Sequence, residues 1–117
     1  LPVQKAAIAA LTGPLDSVKR QCGEYQARRD ALCGGLRGIG WNVPDSHGSM
    51  FVWAPVPAGY KTSMEFCLAL IDKAGVICTP GSSFGPSGEG YVRFALTMPV
   101  EKIGEAVQAI KSSGILG

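Results

Sequence analysis

The stretch PGSSFGPSGEGYVRFAL, residues 80–96, decides how the rest of the chain is read. Its first part carries Gly81, Gly85, Gly88 and Gly90 beside Pro80 and Pro86, and reads as a loop with wide backbone freedom. Its second part, Tyr91 to Leu96, reads as a strand. Successive side chains of a strand alternate faces, so Val92, Phe94 and Leu96 form a core face while Tyr91, Arg93 and Ala95 point the other way. An arginine therefore stands in mid-strand between an aromatic ring and a methyl group. It has two readings. One is a sheet-surface arginine laying its stem over its neighbours. The other is an anion receptor, whose planar guanidinium fork matches a carboxylate and is held by a rigid strand better than by a loop. The loop before it has two readings as well: a plain hairpin connection, or a flap whose glycines and hydroxyls (Ser82, Ser83, Ser87) close on a ligand. It matches neither G-x-x-x-x-G-K-[ST] nor a G-x-G-x-x-G that opens a helix, which argues against a nucleotide phosphate.

Outward from this stretch the chain alternates helix and strand signals. SMFVWAPVP is an unbroken apolar run ending in prolines, and predicts a central strand over Ser49 to Ala54. Thr62 with Glu65 three residues later is a capping box, and predicts a helix to Ala74 with Met64, Cys67, Leu68 and Ile71 buried and Gly75 as its stop. VICTP, residues 76–80, reads as a short buried strand that a right-handed crossover places parallel to the first. Beyond Pro99, Ile103, Ala106, Val107 and Ile110 mark a last helix. Toward the N-terminus, Val3, Ala6, Ala7 and Ala10 predict a short helix. A second runs from Leu15 to Arg37 along a stripe of Leu15, Val18, Cys22, Tyr25, Leu32 and Leu36, longer than a domain of this size needs for its own core and suited to connecting two bodies. The predicted fold class is α+β: a two-layer sandwich of a small mixed sheet with helices on one face, preceded by a long connecting helix.

Composition narrows the function classes. The 117 residues are 46% hydrophobic and 17% charged with a net charge of +2, the balance of an ordinary soluble domain that needs no disulfide or metal staple. Lys and Arg interleave with Asp and Glu, so no basic face for nucleic acid is predicted. No apolar run is long enough to span a bilayer and no secretory leader opens the sequence, so the expected location is cytoplasmic. Cys22, Cys33, Cys67 and Cys78 contain no C-x-x-C and lie far in sequence from the single His47. All four are predicted to be buried thiols, with no metal site. The opening LPVQKAAIAAL lacks an initiator Met and starts in a helical pattern, as expected of a piece of something longer.

The run AGVICTPGSSFGPSGEGYVRFALTMP, residues 74–99, preceded by GSMFVWAPVP at 48–57, resembles the C-terminal small domain of class I/II aminotransferases, the fold-type I pyridoxal-phosphate enzymes. The combination G-V-x-x-x-P-G-x-x-F-G followed by G-x-x-R-x-A-L carries the resemblance, which is nearest to the branch that includes LL-diaminopimelate aminotransferases. AAIAALTGP, residues 6–14, is similar to the last helix of that family's large domain. The resemblance implies three parts: residues 1–13 as the end of a large domain, 14–40 as an interdomain helix, and 41–117 as the small domain. It implies that Arg93 receives the substrate α-carboxylate, that Phe84 lines the closing face, and that Ser82 and Gly48 lie near the site. For the parent it implies pyridoxal 5′-phosphate, amino acid and 2-oxo acid substrates, and a homodimer. None of Lys5, Lys19, Lys61, Lys73, Lys102 or Lys111 has the family's lysine context, so no catalytic or cofactor-binding residue is expected in this chain, nor activity from it alone. Two other readings stand beside this one: a free-standing α+β module binding a small carboxylate without catalysis, and a structural domain used for association.

Overall fold

The computed structural model describes residues 1–117. Pro2, which has no N–H to leave unpaired, opens α1 (Pro2–Thr12), and Gly13 ends it. No residue of α1 is buried. The long helix α2 (Asp16–Gly38) buries only Leu32, Cys33 and Leu36, all near its C-terminal end. The expected stripe is thus partnered from the half-buried Tyr25 onward, and Leu15 and Val18 stand 54% and 52% exposed. One expectation fails here. Cys22 is exposed while the other three thiols are buried, because the part of α2 that carries it extends past the body of the chain. The projection shows in the dimensions: a radius of gyration of 16.7 Å, against about 13 Å for a compact domain of this length.

Three strands make the sheet: β1 (Phe51–Pro55), β2 (Thr79–Pro80) and β3 (Tyr91–Ala95), in the order β1-β3-β2. Both pairings are antiparallel, Trp53 opposite Arg93 and Thr79 opposite Arg93. The two outer strands therefore run parallel to each other, as the crossover argument requires, with β3 inserted between them. The α+β class stands as expected, but the sheet is wholly antiparallel and not mixed, because β3 separates the two parallel outer strands. β1 begins two residues later than predicted because Ser49 sits at φ 67, a left-handed conformation that cannot extend. β2 shrinks from five residues to two. Its approach, 75–78, leaves the helix through left-handed Gly75 and stays outside the ladder, with Ile77 80% exposed.

Helix α3 (Ser63–Ala74) is capped as predicted. Thr62 Oγ1 accepts from the Glu65 N–H at 3.1 Å, and the Glu65 carboxylate accepts in return from the Lys61 N–H. Its buried face is Ser63, Phe66, Cys67 and Leu70. Of the predicted stripe only Cys67 is buried. Met64, Leu68 and Ile71 are on the open side, since Phe66 and Leu70 bring the larger buried surface and take the core. Helix α4 (Val100–Ser113) turns Ile103 and Ile110 inward, with Ala106 and Val107 half-buried, as its periodicity predicted. The core forms between these helices and one face of the sheet, where Val52, Ala54, Val92, Phe94 and Leu96 meet Leu36, Phe66 and Leu70. Trp41 lies edge-on to Phe66 and Phe94 and donates its indole N–H to the Pro55 carbonyl at 2.8 Å.

Candidate functional site

The other face of the sheet has no helix over it. Residues opposed across an antiparallel ladder share a face, so Phe51, Trp53 and Pro55 of β1 join Tyr91, Arg93 and Ala95 of β3 and Thr79 of β2. Trp53 stacks on Tyr91 with ring centroids 5.4 Å apart and 12° between planes, and Phe84 leans over Trp53 at 6.2 Å. Arg93 is half-buried among them. Its Cζ lies 4.0 Å from the Phe51 ring centroid and 4.5 Å from that of Phe84, so two aromatic faces hold the guanidinium. Each such contact is worth about 0.5–2 kcal/mol.

Arg93 differs from the other half-buried arginines in what it bonds. Arg28 donates to the Leu96 carbonyl at 3.0 Å, and Arg29 donates to the Ser46 carbonyl and pairs with Asp30. Even the more exposed Arg37 has partners, the Val43 carbonyl and Asp45. The Arg93 guanidinium has no hydrogen bond and no ion pair within the chain. Its position is set by the strand and the two rings, and its N–H donors are left free for a partner from outside. A planar carboxylate fits that fork.

Phe84 reaches Arg93 because of how the glycine-rich loop is tied down. The loop runs through two short 3-10 turns, Gly81–Phe84 and Pro86–Gly88, hinged at Gly85 with φ 116. Gly81 and Gly88 approach so closely that a Cβ on either would overlap the other's carbonyl oxygen. Glu89 then fastens the loop to α3. Its carboxylate accepts from the Ser63 N–H at 2.7 Å and the Ser63 hydroxyl at 2.9 Å, at the positive end of the helix. These bonds, the backbone one first, with help from the Gly90 N–H, hold the Glu89 carboxyl below the usual carboxylate range against the opposing effect of desolvation.

The expected residues are dispersed around this centre. Phe84 packs directly on Arg93. Ser82 does not reach it through any hydrogen bond. Its hydroxyl meets the Ser63 hydroxyl at 3.3 Å, which makes it part of the loop's anchor. Gly48 lines a separate cleft of about 420 Å³ with Cys22, Arg29 and His47, where its carbonyl accepts from Ser46. Sequence reasoning missed Phe51, Trp53 and Glu89. Alternation within FVWAP puts residues 51 and 53 on one face, and Glu89 is the lone acid of the loop, so signals existed for all three.

Pyridoxal phosphate needs an amine that sheds its proton, which burial or a neighbouring cation brings about. All six lysines are exposed, and Lys102, the one that shares a cleft with Arg93, is paired with Glu105 at 3.1 Å. The residues present do not fit that cofactor by themselves. Nor do three His, Cys, Asp or Glu side chains gather as a metal-ligand set. No helix is long and apolar enough to cross a membrane.

Comparison with known proteins gives the family. The sequence is 46% identical over 113 residues to the LL-diaminopimelate aminotransferase of Halothermothrix orenii, covering 97% of this chain and 29% of that protein. It is 48% identical over 105 residues to the LL-diaminopimelate aminotransferase of Dehalococcoides mccartyi, covering 90% and 27%. Among solved structures, alanine aminotransferase from Pyrococcus furiosus superposes with a TM-score of 0.87 at 33% identity, over 95% of this chain and 29% of that one. The chain thus spans under a third of the length of the relatives it matches. Residues 1–110 match the family described as aminotransferase class I and II, and the chain belongs to that family.

Proposed function

We propose that this chain is the C-terminal small domain of an enzyme that transfers an amino group from an amino acid to a 2-oxo acid, and that Arg93 is the seat of the substrate α-carboxylate. One observation carries the reading: a guanidinium clamped between two rings, without an internal counter-ion, on a sheet face that no helix of the chain covers. The family supports pyridoxal 5′-phosphate as the parent's cofactor, which supplies the electron sink for amino transfer and is held outside these residues. The chain's own contribution is positional. A two-point pairing of carboxylate and guanidinium fixes the substrate's orientation, and the surrounding rings keep water off the pair and so strengthen it. In this reading residues 1–13 close the large domain and 14–40 are the interdomain helix, which accounts for the exposed Leu1, Val3, Ile8, Leu11, Leu15 and Val18. The relatives favour LL-diaminopimelate as the amino acid. The parent is read as a homodimer, on the family resemblance alone.

Steady-state kinetics of the full-length parent test the assignment. Arg93→Lys keeps the charge and loses the fork, and Arg93→Ala loses both. The expected fall in kcat/KM for Arg93→Ala is about 30- to 1,000-fold, from roughly 2–4 kcal/mol of lost charge-assisted pairing, with Arg93→Lys between it and wild type. Cofactor affinity is expected to stay the same. Unchanged kcat/KM in both variants would remove Arg93 from the site. The isolated chain is expected to be inactive, and a stoichiometric borohydride-trappable adduct with pyridoxal phosphate would contradict that.

A further inference from the structure

We propose that Cys67 and Cys78 form an oxidisable dithiol, a modification site whose reagent is a small peroxide. Cys67 stands on the buried face of α3 and Cys78 at the end of the 75–78 segment, just before β2. Their sulfurs are 3.1 Å apart and both residues are buried. A disulfide needs about 2.05 Å, so closing the bond asks for roughly 1 Å of movement. The segment that would move lies outside the ladder, which begins at Thr79, and its Ile77 is open to solvent.

Access suits the reaction, and the protonated state of the buried pair sets its pace. Cys78 lines a cleft of about 670 Å³ between α4, the end of β3 and the 75–78 segment, wide enough for hydrogen peroxide to enter. The charged groups facing the same cleft are Arg93, Lys102 and Glu105. Burial pushes both thiols up, and the neighbouring Cys67 sulfur pushes Cys78 further, so the pair is stored as a dithiol that reacts with peroxide slowly, through its small thiolate fraction. In the reaction the two S–H bonds break, the sulfurs give up two electrons and two protons, and one S–S bond forms. The O–O bond of hydrogen peroxide breaks, and the oxidant leaves as two molecules of water. The product ties the entry of the glycine-rich loop to α3, behind the loop that carries Phe84.

The other thiols behave differently. Cys22 is exposed, and joins two chains if it oxidises; Cys33 is buried with its sulfur 3.8 Å from the Pro44 carbonyl. The experiment therefore uses the chain 1–117 as Cys22→Ser, treated with hydrogen peroxide under native conditions, then alkylated in denaturant and digested with trypsin. Cleavage after Lys61, Lys73 and Arg93 separates the two cysteines into peptides 62–73 and 74–93. The expected product is a single linked pair of these peptides, from a protein lighter by the mass of two hydrogens, which dithiothreitol reverses. The link is expected to vanish in Cys67→Ser and in Cys78→Ser, and to survive Cys33→Ser. Peptides alkylated at both positions, a link to Cys33, or sulfinic acids without a link would each overturn the proposal. So would a yield no higher in folded protein than in urea.

Discussion

The two faces of β3 serve opposite ends. Val92 and Phe94, with Leu96 just beyond the strand, are buried against three helices, while Tyr91, Arg93 and Ala95, one residue out of phase, look out from a sheet face that no helix covers. On the first face apolar area is removed from water and stabilises the fold. On the second, a guanidinium is held in place by aromatic rings and forms no bond that folding needs. In the proposed reading, stability and recognition are separated by a single step along the backbone, and substitutions on neighbouring residues should separate them too.

The sharpest way to break that contrast is to truncate both neighbours. Phe94→Ala removes a ring packed edge-on against Trp41 and is expected to cost about 3–5 kcal/mol in urea-induced unfolding. Arg93→Ala breaks no hydrogen bond or ion pair but gives up two ring contacts, and is expected to cost about 1–2 kcal/mol, well below Phe94→Ala. Equal losses would mean that Arg93 is a structural residue and that the two faces do not divide their work as described.

A smaller effect is expected where the faces communicate through the rings. Phe51 and Phe84 hold the Arg93 fork without touching its donors, so Phe84→Leu keeps apolar bulk and loses the ring face. Loss of one such contact should lower the unfolding free energy by roughly 0.5–2 kcal/mol and, by loosening the fork, raise KM of the parent about 2- to 30-fold. A loss of stability with KM unchanged would make Phe84 a packing residue instead.

How much of this is legible in the sequence depends on the range of the interaction. The alternation of β3 is a local signal, and a window of six residues is enough to set Arg93 apart from the core face. Phe51 reaches Arg93 only through a strand pairing more than forty residues away in sequence, so its role depends on a register that no short window reveals. Helix α3 fails for a different reason. It is apolar on two sides, and Met64, Leu68 and Ile71 make as regular a stripe as Phe66 and Leu70, so periodicity alone cannot choose between them. Cys22 fails because the stripe is regular but α2 buries only Leu32, Cys33 and Leu36, so periodicity does not say how far along the helix the packing reaches.

The smallest expected effect concerns the tie between the two layers. Glu89 reaches from the loop on the open side to the N-terminus of α3 on the packed side, and its carboxyl is held below the ordinary value of about 4.3. A group whose pKa is lower folded than unfolded binds fewer protons when folded, so its contribution is complete above the unfolded value and is lost as pH falls through the folded one. The chain should therefore shed this contribution only in acid, below about pH 4.3, and be indifferent to Glu89 ionisation near neutrality. Glu89→Gln keeps the shape and one acceptor oxygen but removes the charge at the helix end. It should lower stability slightly at pH 7 and flatten the acid limb of the curve relative to wild type. An acid limb with the same slope in both proteins would mean that other carboxylates dominate there. The loop would then be held by the close approach of Gly81 and Gly88 and not by the ionised acid.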